Sequence, residues 1–262
     1  MIKKISINKY VNNVVVEQED LVIEEHRANI FVNGEHYISL MCLPQYLDEL
    51  TVGFLFSDGV ISSFADIIEL DSSSTENIFV VANSPAESAK PSKRAIISGF
   101  AQGSVKLPFF NYENLPKVDS HIKISSGDIV KMMGFLNKRS GLFSITGAVH
   151  SSALVLPDGA GLFFEDIGRH NAVDKIIGKA LIADLSLKDG VLLTSGRISS
   201  EILIKAAGLG IPALISVSAP TSMAVEIARK INMTLIGFAR DNRFNIYSGE
   251  CRVVGPGKSV NI

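Results

Sequence analysis

Only two cysteines, Cys42 and Cys251, occur in 262 residues, and they stand far apart in the sequence. Neither a disulfide framework nor a CxxC metal or redox site can be drawn from them. An excess of one charge is lacking too. The 25 basic and 27 acidic residues leave a formal net charge of −2, which gives no general field for nucleic acid or an anionic membrane. No apolar run is long enough to cross a bilayer, nothing near the N-terminus has the order of a signal peptide, and no repeat is apparent. The expectation is a cytoplasmic protein with no nucleic-acid and no membrane partner. Neither GxGxxG nor GxxxxGK[ST] occurs, so the usual nucleotide-binding loops have no support. The H-x-E and P-C-x-x-C motifs of zinc deaminases are missing as well, which counts against a nucleotide deaminase or hydrolase. No metal site is expected.

What is present is apolar pattern. At 47% hydrophobic, the chain can bury a full core as one large or two small domains. Residues 14–16, 21–23 and 30–32 are β-branched runs, and Asn33-Gly34 between IFV and HYISLM is a hairpin turn. Pro44 opens a predicted helix with Leu47, Leu50, Phe54 and Leu55 buried and Gly59 in the turn that ends it. The runs IFVVA and AIIS continue the sheet, and SGFAQGSVKLPFF (98–110) reads as a functional loop or linker. Ser125 and Asp128 have capping-box spacing ahead of a stripe of Ile129, Met132, Met133 and Leu136. Residues 143–146 and 152–156 then read as strands around Gly147 and His150.

The last third spells βαβαβ: strands at 191–194, 213–217 and 234–238, helices at 199–209 and 221–231. A parallel sheet with right-handed crossovers follows. The predicted organisation is a strand-rich N-terminal portion (1–97), a linker or loop (98–118) and an α/β domain (119–262). Ligands of such sheets bind beyond the carboxyl ends of the strands, where this chain has TSGRISS, SVSAPTS and FARDNR. Arg197, Ser199, Ser218, Thr221, Arg240 and Arg243 would line that rim, a combination suited to phosphate or pyrophosphate. Ser199 and Thr221 read equally well as plain N-caps.

The stretch FFEDIGRHNAVDKIIGKAL (163–181) puts Glu165, Asp166, Arg169, His170 and Asn171 around the start of a helix. Its buried stripe is Val173, Ile176, Ile177, Ala180 and Leu181, with Lys175 and Lys179 expected on the solvated side. Five polar residues in one turn suggest a site. The plainer alternative is that Asp166 pairs with Arg169 and Asn171 caps the helix. Cys42 stands just before a helix, a position that can lower a thiol's pKa, but Met41 and Leu43 beside it argue for burial. His150 after its strand is either an acid or base or an ordinary hydrogen-bonded histidine.

EDIGRHNAVDKIIG, TSGRISSE, SVSAPTSMAVEIA, TLIGFARDNRFNIY and FVNGEHYISLMCLPQYLDELTVGFLFSDGVI resemble, in the same order, the FdhD family of formate dehydrogenase accessory proteins. The resemblance implies a cytidine deaminase-like α/β C-terminal domain with a smaller α+β N-terminal domain, in a homodimer. It also implies a sulfur carrier that takes sulfur from a cysteine desulfurase and passes it to a molybdenum (or tungsten) bis(molybdopterin guanine dinucleotide) before insertion into formate dehydrogenase. The family's cofactor-binding stretch corresponds here to Phe238, Ala239, Arg240, Asp241, Asn242 and Arg243, with Arg197, Ser218 and Thr221 assisting. His150, Asp166, Arg169, His170 and Asp174 would form a supporting wall or the dimer contact. GDP is the natural fragment ligand. One position departs from the pattern: the loop that carries cysteine in the family reads SGFAQGS, with Phe100 or Ala101 in that place. Cys42 and Cys251 are then the substitute nucleophiles. The alternative is a non-catalytic chaperone for the cofactor that has lost persulfide transfer.

Overall fold

Apolar side chains along the last strands alternate between two faces of one sheet, and each face has its own cover. In the computed structural model, which describes residues 1–83, 95–96 and 115–255, strands β1 (Ile2–Val11) and β2 (Val14–Ile23) first pair as an antiparallel ribbon of their own. Strands β3 (His26–Val32) and β4 (Glu35–Cys42) form the predicted hairpin, with Asn33 and Gly34 at φ 50 and 85 in its turn. Helix α1 (Leu47–Ser57), β5 (Ile67–Asp71), β6 (Asn77–Ala82) and the short β7 (Ala95–Ile96) follow. These strands make a mixed sheet in the order β5-β6-β3-β4-β7.

Beyond it come β8 (Ile124–Ser125), α2 (Ser126–Arg139), α3 (Gly141–Thr146), β9 (His150–Val155), β10 (Gly161–Asp166) and α4 (Arg169–Ile182). The βαβαβ unit is β11 (Val191–Thr194), α5 (Ser200–Gly208), β12 (Ala213–Ser216), α6 (Ser222–Lys230) and β13 (Thr234–Arg240). It is followed by β14 (Arg243–Ser248) and β15 (Val253–Val254). The large sheet runs β10-β9-β11-β12-β13-β14, with β11, β12 and β13 parallel as predicted and antiparallel strands on both sides. The molecule is thus a mixed α/β protein.

Because side chains alternate along a strand, Leu193, Ala213, Ile215 and Ile236 pack against Ile129, Met132, Met133 and Leu136 of α2. Leu192, Leu214 and Leu235 face the other way into a larger core with residues of α4, α5 and α6. That core continues into Leu50 and Leu55 of α1 and Ala28, Ile30 and Leu40 of the N-terminal sheet. Helices α1 and α4 touch backbone to backbone. A Cβ on Gly53 would lie 2.9 Å from Gly178 N, and one on Gly178 would lie 2.8 Å from Gly53 N.

Three predictions need correction. Residues 143–146 are helical, in α3, because the Glu165 carboxylate accepts from the backbone N–H groups of Leu142 and Phe143, both at 3.1 Å, and so caps that turn. Helix α1 begins at Leu47 and not at Pro44, since Tyr46 is left-handed at φ 58 and helical geometry can start only after it. Lys175 is not solvated: it is fully buried, its ammonium 2.7 Å from Asp166 Oδ2. The loop at 98–104, with Phe100 and Ala101, lies outside the described residues.

Candidate functional site

The loops after β11, β12 and β13 are knit together by backbone. Ile198 N donates to Ala219 O at 3.1 Å, Thr221 N to Ile198 O at 2.9 Å and Phe238 N to Ser218 O at 3.1 Å. Ser216 Oγ donates to Gly196 O at 2.6 Å. TSGRISS, SVSAPTS and the start of FARDNR therefore do meet at one rim. Ser199 and Thr221 serve there as N-caps of α5 and α6, their hydroxyls accepting from Ile202 N and Ala224 N. Ser218 is half-buried beside them and Arg197 is exposed.

The segment 238–243 leaves this rim as a hairpin. Phe238 sits at φ 53, an unusual conformation for a bulky residue, where the register between β13 and β14 shifts. Past this bulge Ala239 is buried, while Arg240, Asp241, Asn242 and Arg243 are exposed, with Arg240 and Arg243 paired across the turn. Arg240, Asp241 and Arg243 border a shallow hollow whose floor includes Ile129, Met133 and Phe244, on the α2 side of the sheet. Among the described residues neither arginine forms an ion pair.

A second group gathers on the α4 side. His150 is half-buried with Nδ1 3.2 Å from Ser195 Oγ, an oxygen that accepts from Ser151 N at 2.9 Å. Burial and then the Arg169 and Arg197 guanidinium groups push its imidazole below the usual histidine range. His170 stands 3.6 Å from Glu201 Oε2, yet burial, Lys205 and Arg169 push it down to about 2. Arg169 is itself lowered, by burial first and then by Arg197.

Asp166 and Asp174 lie beneath this group and do not reach its surface. Asp166, fully buried, accepts from Lys175 Nζ (2.7 Å), Asn171 Nδ2 (2.8 Å), Gly168 N (3.0 Å) and Leu43 N (3.1 Å). Its partner is thus Lys175 and not Arg169. Asn171 does not cap α4 but ties Asp166 to Met41 O at 2.9 Å. Asp174 is held by Lys205 Nζ at 2.6 Å and Ser57 Oγ at 2.8 Å, and burial pushes its carboxyl upward. Sequence reasoning missed both buried pairs and the Ser195–His150 contact. The available signal was a lysine and an aspartate at neighbouring positions in the middle of a helix otherwise rich in apolar and small residues.

The two thiols differ. Cys42 is fully buried, and burial with the nearby Asp166 charge pushes it up to about 12, so it stays protonated. Cys251 is exposed in a short turn whose carbonyl accepts from Lys123 Nζ at 2.8 Å.

A mixed α/β protein whose central parallel strands end in polar loops is the class that the fold defines, with two arginines at the tip of the last hairpin that make no ion pair among the described residues. Its relatives give the class a family. The FdhD/NarQ family model matches residues 23–254, and the chain belongs to that family. It is 36% identical over 257 residues to the sulfur carrier protein FdhD of Geobacillus kaustophilus, covering 96% of this chain and 97% of the relative. It is 34% identical over 248 residues to the protein of the same name from Bacillus subtilis, covering 94% and 95%. A crystal structure described as a formate dehydrogenase accessory protein from Desulfotalea psychrophila superposes with a TM-score of 0.78 at 26% identity, covering 97% of this chain and 99% of that one.

Proposed function

We propose that this chain is a sulfur carrier in formate dehydrogenase maturation, taking sulfur from a cysteine desulfurase and passing it to a molybdenum (or tungsten) bis(molybdopterin guanine dinucleotide). The observation that carries this reading is family membership over nearly the whole chain, 238–243 hairpin included. The chemistry of that hairpin supports it. Arg240 and Arg243, exposed and unpaired at a two-residue turn, suit the phosphates of a guanine nucleotide, and guanidinium forks grip phosphate bidentately. The reading extends to a cytidine deaminase-like fold for residues 119–262, set off from residues 1–97 by the 98–118 segment, and to a cytoplasmic homodimer. Among the described residues no helix is long and apolar enough to cross a membrane.

Persulfide transfer needs an accessible thiolate. With Cys42 buried and protonated, Cys251 is the thiol left to carry sulfur. The test is calorimetry with GDP at low salt, where phosphate contacts are strongest. The wild type should bind, and an Arg240→Ala, Arg243→Ala variant should bind at least ~10-fold more weakly, the loss of one charge-assisted contact or more. A wild type that ignores GDP would sink the reading.

A further inference from the structure

Strands β1 and β2 make a ribbon that no third strand joins among the described residues. Asn12 and Asn13, at φ 50 and 64, close it as a two-residue turn. Its hydrogen bonds fix which backbone groups look outward. Glu24 N donates to Met1 O at 2.7 Å, so in the unbroken register Lys3/Val22, Ile5/Asp20, Ile7/Gln18 and Lys9/Val16 are the pairs that exchange backbone bonds. The amides and carbonyls of Lys4, Ser6, Asn8 and Tyr10 therefore point away from β2, along a free edge. On the opposite edge the Leu21 amide is taken by Asp20 Oδ1 at 2.9 Å, and α3 comes close to β2. Of the two edges, that of β1 is the open one.

Charge divides by strand. β1 holds Lys3, Lys4 and Lys9 and no acid, whereas β2 holds Glu17, Glu19 and Asp20 and no base. Lys4 is engaged with Glu19 across the ribbon at 3.1 Å. Lys3 and Lys9 form no ion pair among the described residues, and they share one face of the strand with Ile5 and Ile7 between them. A second copy pairing β1 edge to edge would set lysines beside lysines, and like charges across a ladder repel. An acidic strand meets attraction in the same place. A two-stranded ribbon has little stability of its own, and a third strand adds to it. We propose that the free edge of β1 is a docking surface for an extended acidic segment of a partner protein, added as a third strand. The segment lays acidic side chains beside Lys3 and Lys9 and apolar ones beside Ile5 and Ile7, while its backbone pairs with Lys4, Ser6 and Asn8; main-chain bonds then supply affinity and alternate side chains selectivity.

The test is an NMR titration of the full chain, labelled on nitrogen, with a blocked seven-residue peptide that has Glu at both ends, Val at its third and fifth positions and Thr at the rest. The peptide should shift the amide signals of Lys4, Ser6 and Asn8 and slow their exchange with water, since each gains an acceptor. Asn8→Pro removes an outward N–H and leaves the bonds to β2 in place, and it should weaken binding about 10-fold, the scale of one lost hydrogen bond. Lys3→Glu with Lys9→Glu, both at exposed positions, should weaken it by a similar factor and transfer the preference to a peptide with Lys at its ends. Three results would overturn the proposal. One is a wild type whose β1 amides do not move at about 1 mM peptide. Another is equal affinity for the Glu-ended and Lys-ended peptides. The third is self-association of the wild type that Asn8→Pro abolishes, which would give the edge to a second copy. The ribbon is separate from the 238–243 hairpin in both sheet and sequence, so failure here leaves the sulfur-carrier reading standing.

Discussion

Gly53 and Gly178 face each other where α1 crosses α4, each so close that a single added carbon would strike the other's backbone amide at under 3 Å. Such a contact cannot be relieved by rotating a side chain, because the atoms that would clash are main chain. Gly53→Ala or Gly178→Ala should each cost about 3 kcal/mol, read as a fall in the urea midpoint at constant slope. A midpoint within error of wild type would mean that the helices separate freely.

Lys175 and Asp166 make a wholly buried pair whose carboxylate also holds three other donors. Lys175→Met strands that charge and should destabilise by about 3–5 kcal/mol. Adding Asp166→Asn should cost less than the sum of the single changes, since both act on one interaction. Strict additivity in a double-mutant cycle would contradict the pairing.

The imidazoles set a pH limit. His170 titrates near 2 when folded, held down by burial, Lys205 and Arg169, and at about 6.5 when unfolded. Between those values the unfolded chain binds more protons, so this stability is whole above pH ~6.5 and is lost as the pH falls below it. His150 is shifted in the same direction. The urea midpoint should drop between pH 7.5 and 5.5, and less so in His170→Gln. Equal drops in both proteins would remove His170 from the account.

The thiols should react in two classes. A disulfide reagent added to native protein should modify Cys251 within minutes and reach Cys42 only after denaturant, because one is exposed and the other sealed with its proton on. With desulfurase and labelled cysteine, sulfur should appear on wild type and Cys42→Ser but not on Cys251→Ser. Label retained by Cys251→Ser would refute Cys251 as the carrier.

Much of the fold was legible because local signals and tertiary packing agree. The strands at 191–194, 213–216 and 234–240 and their helices follow from apolar runs broken by Ser199, Gly210, Pro212 and Thr221. Residues 143–146 misled because a carboxylate from a neighbouring strand, Glu165, decides their conformation. Lys175 misled for a related reason. A lysine on a helix reads as solvated unless its partner can be seen, and Asp166 is held inward by contacts from the end of β4 and from α4 that the sequence does not display. The rim residues were visible as polar runs at strand ends. Their division between the α2 side and the α4 side was not, since it depends on the bulge at Phe238.

The carboxylate of Asp166 holds the amide of Leu43, which follows β4, and the amide of Gly168, which precedes α4. In native-state hydrogen exchange these two amides should therefore be released by one opening event and show matching protection. A motion at the start of α4 is felt at once at the end of β4, so that turn and the N-terminal sheet breathe together.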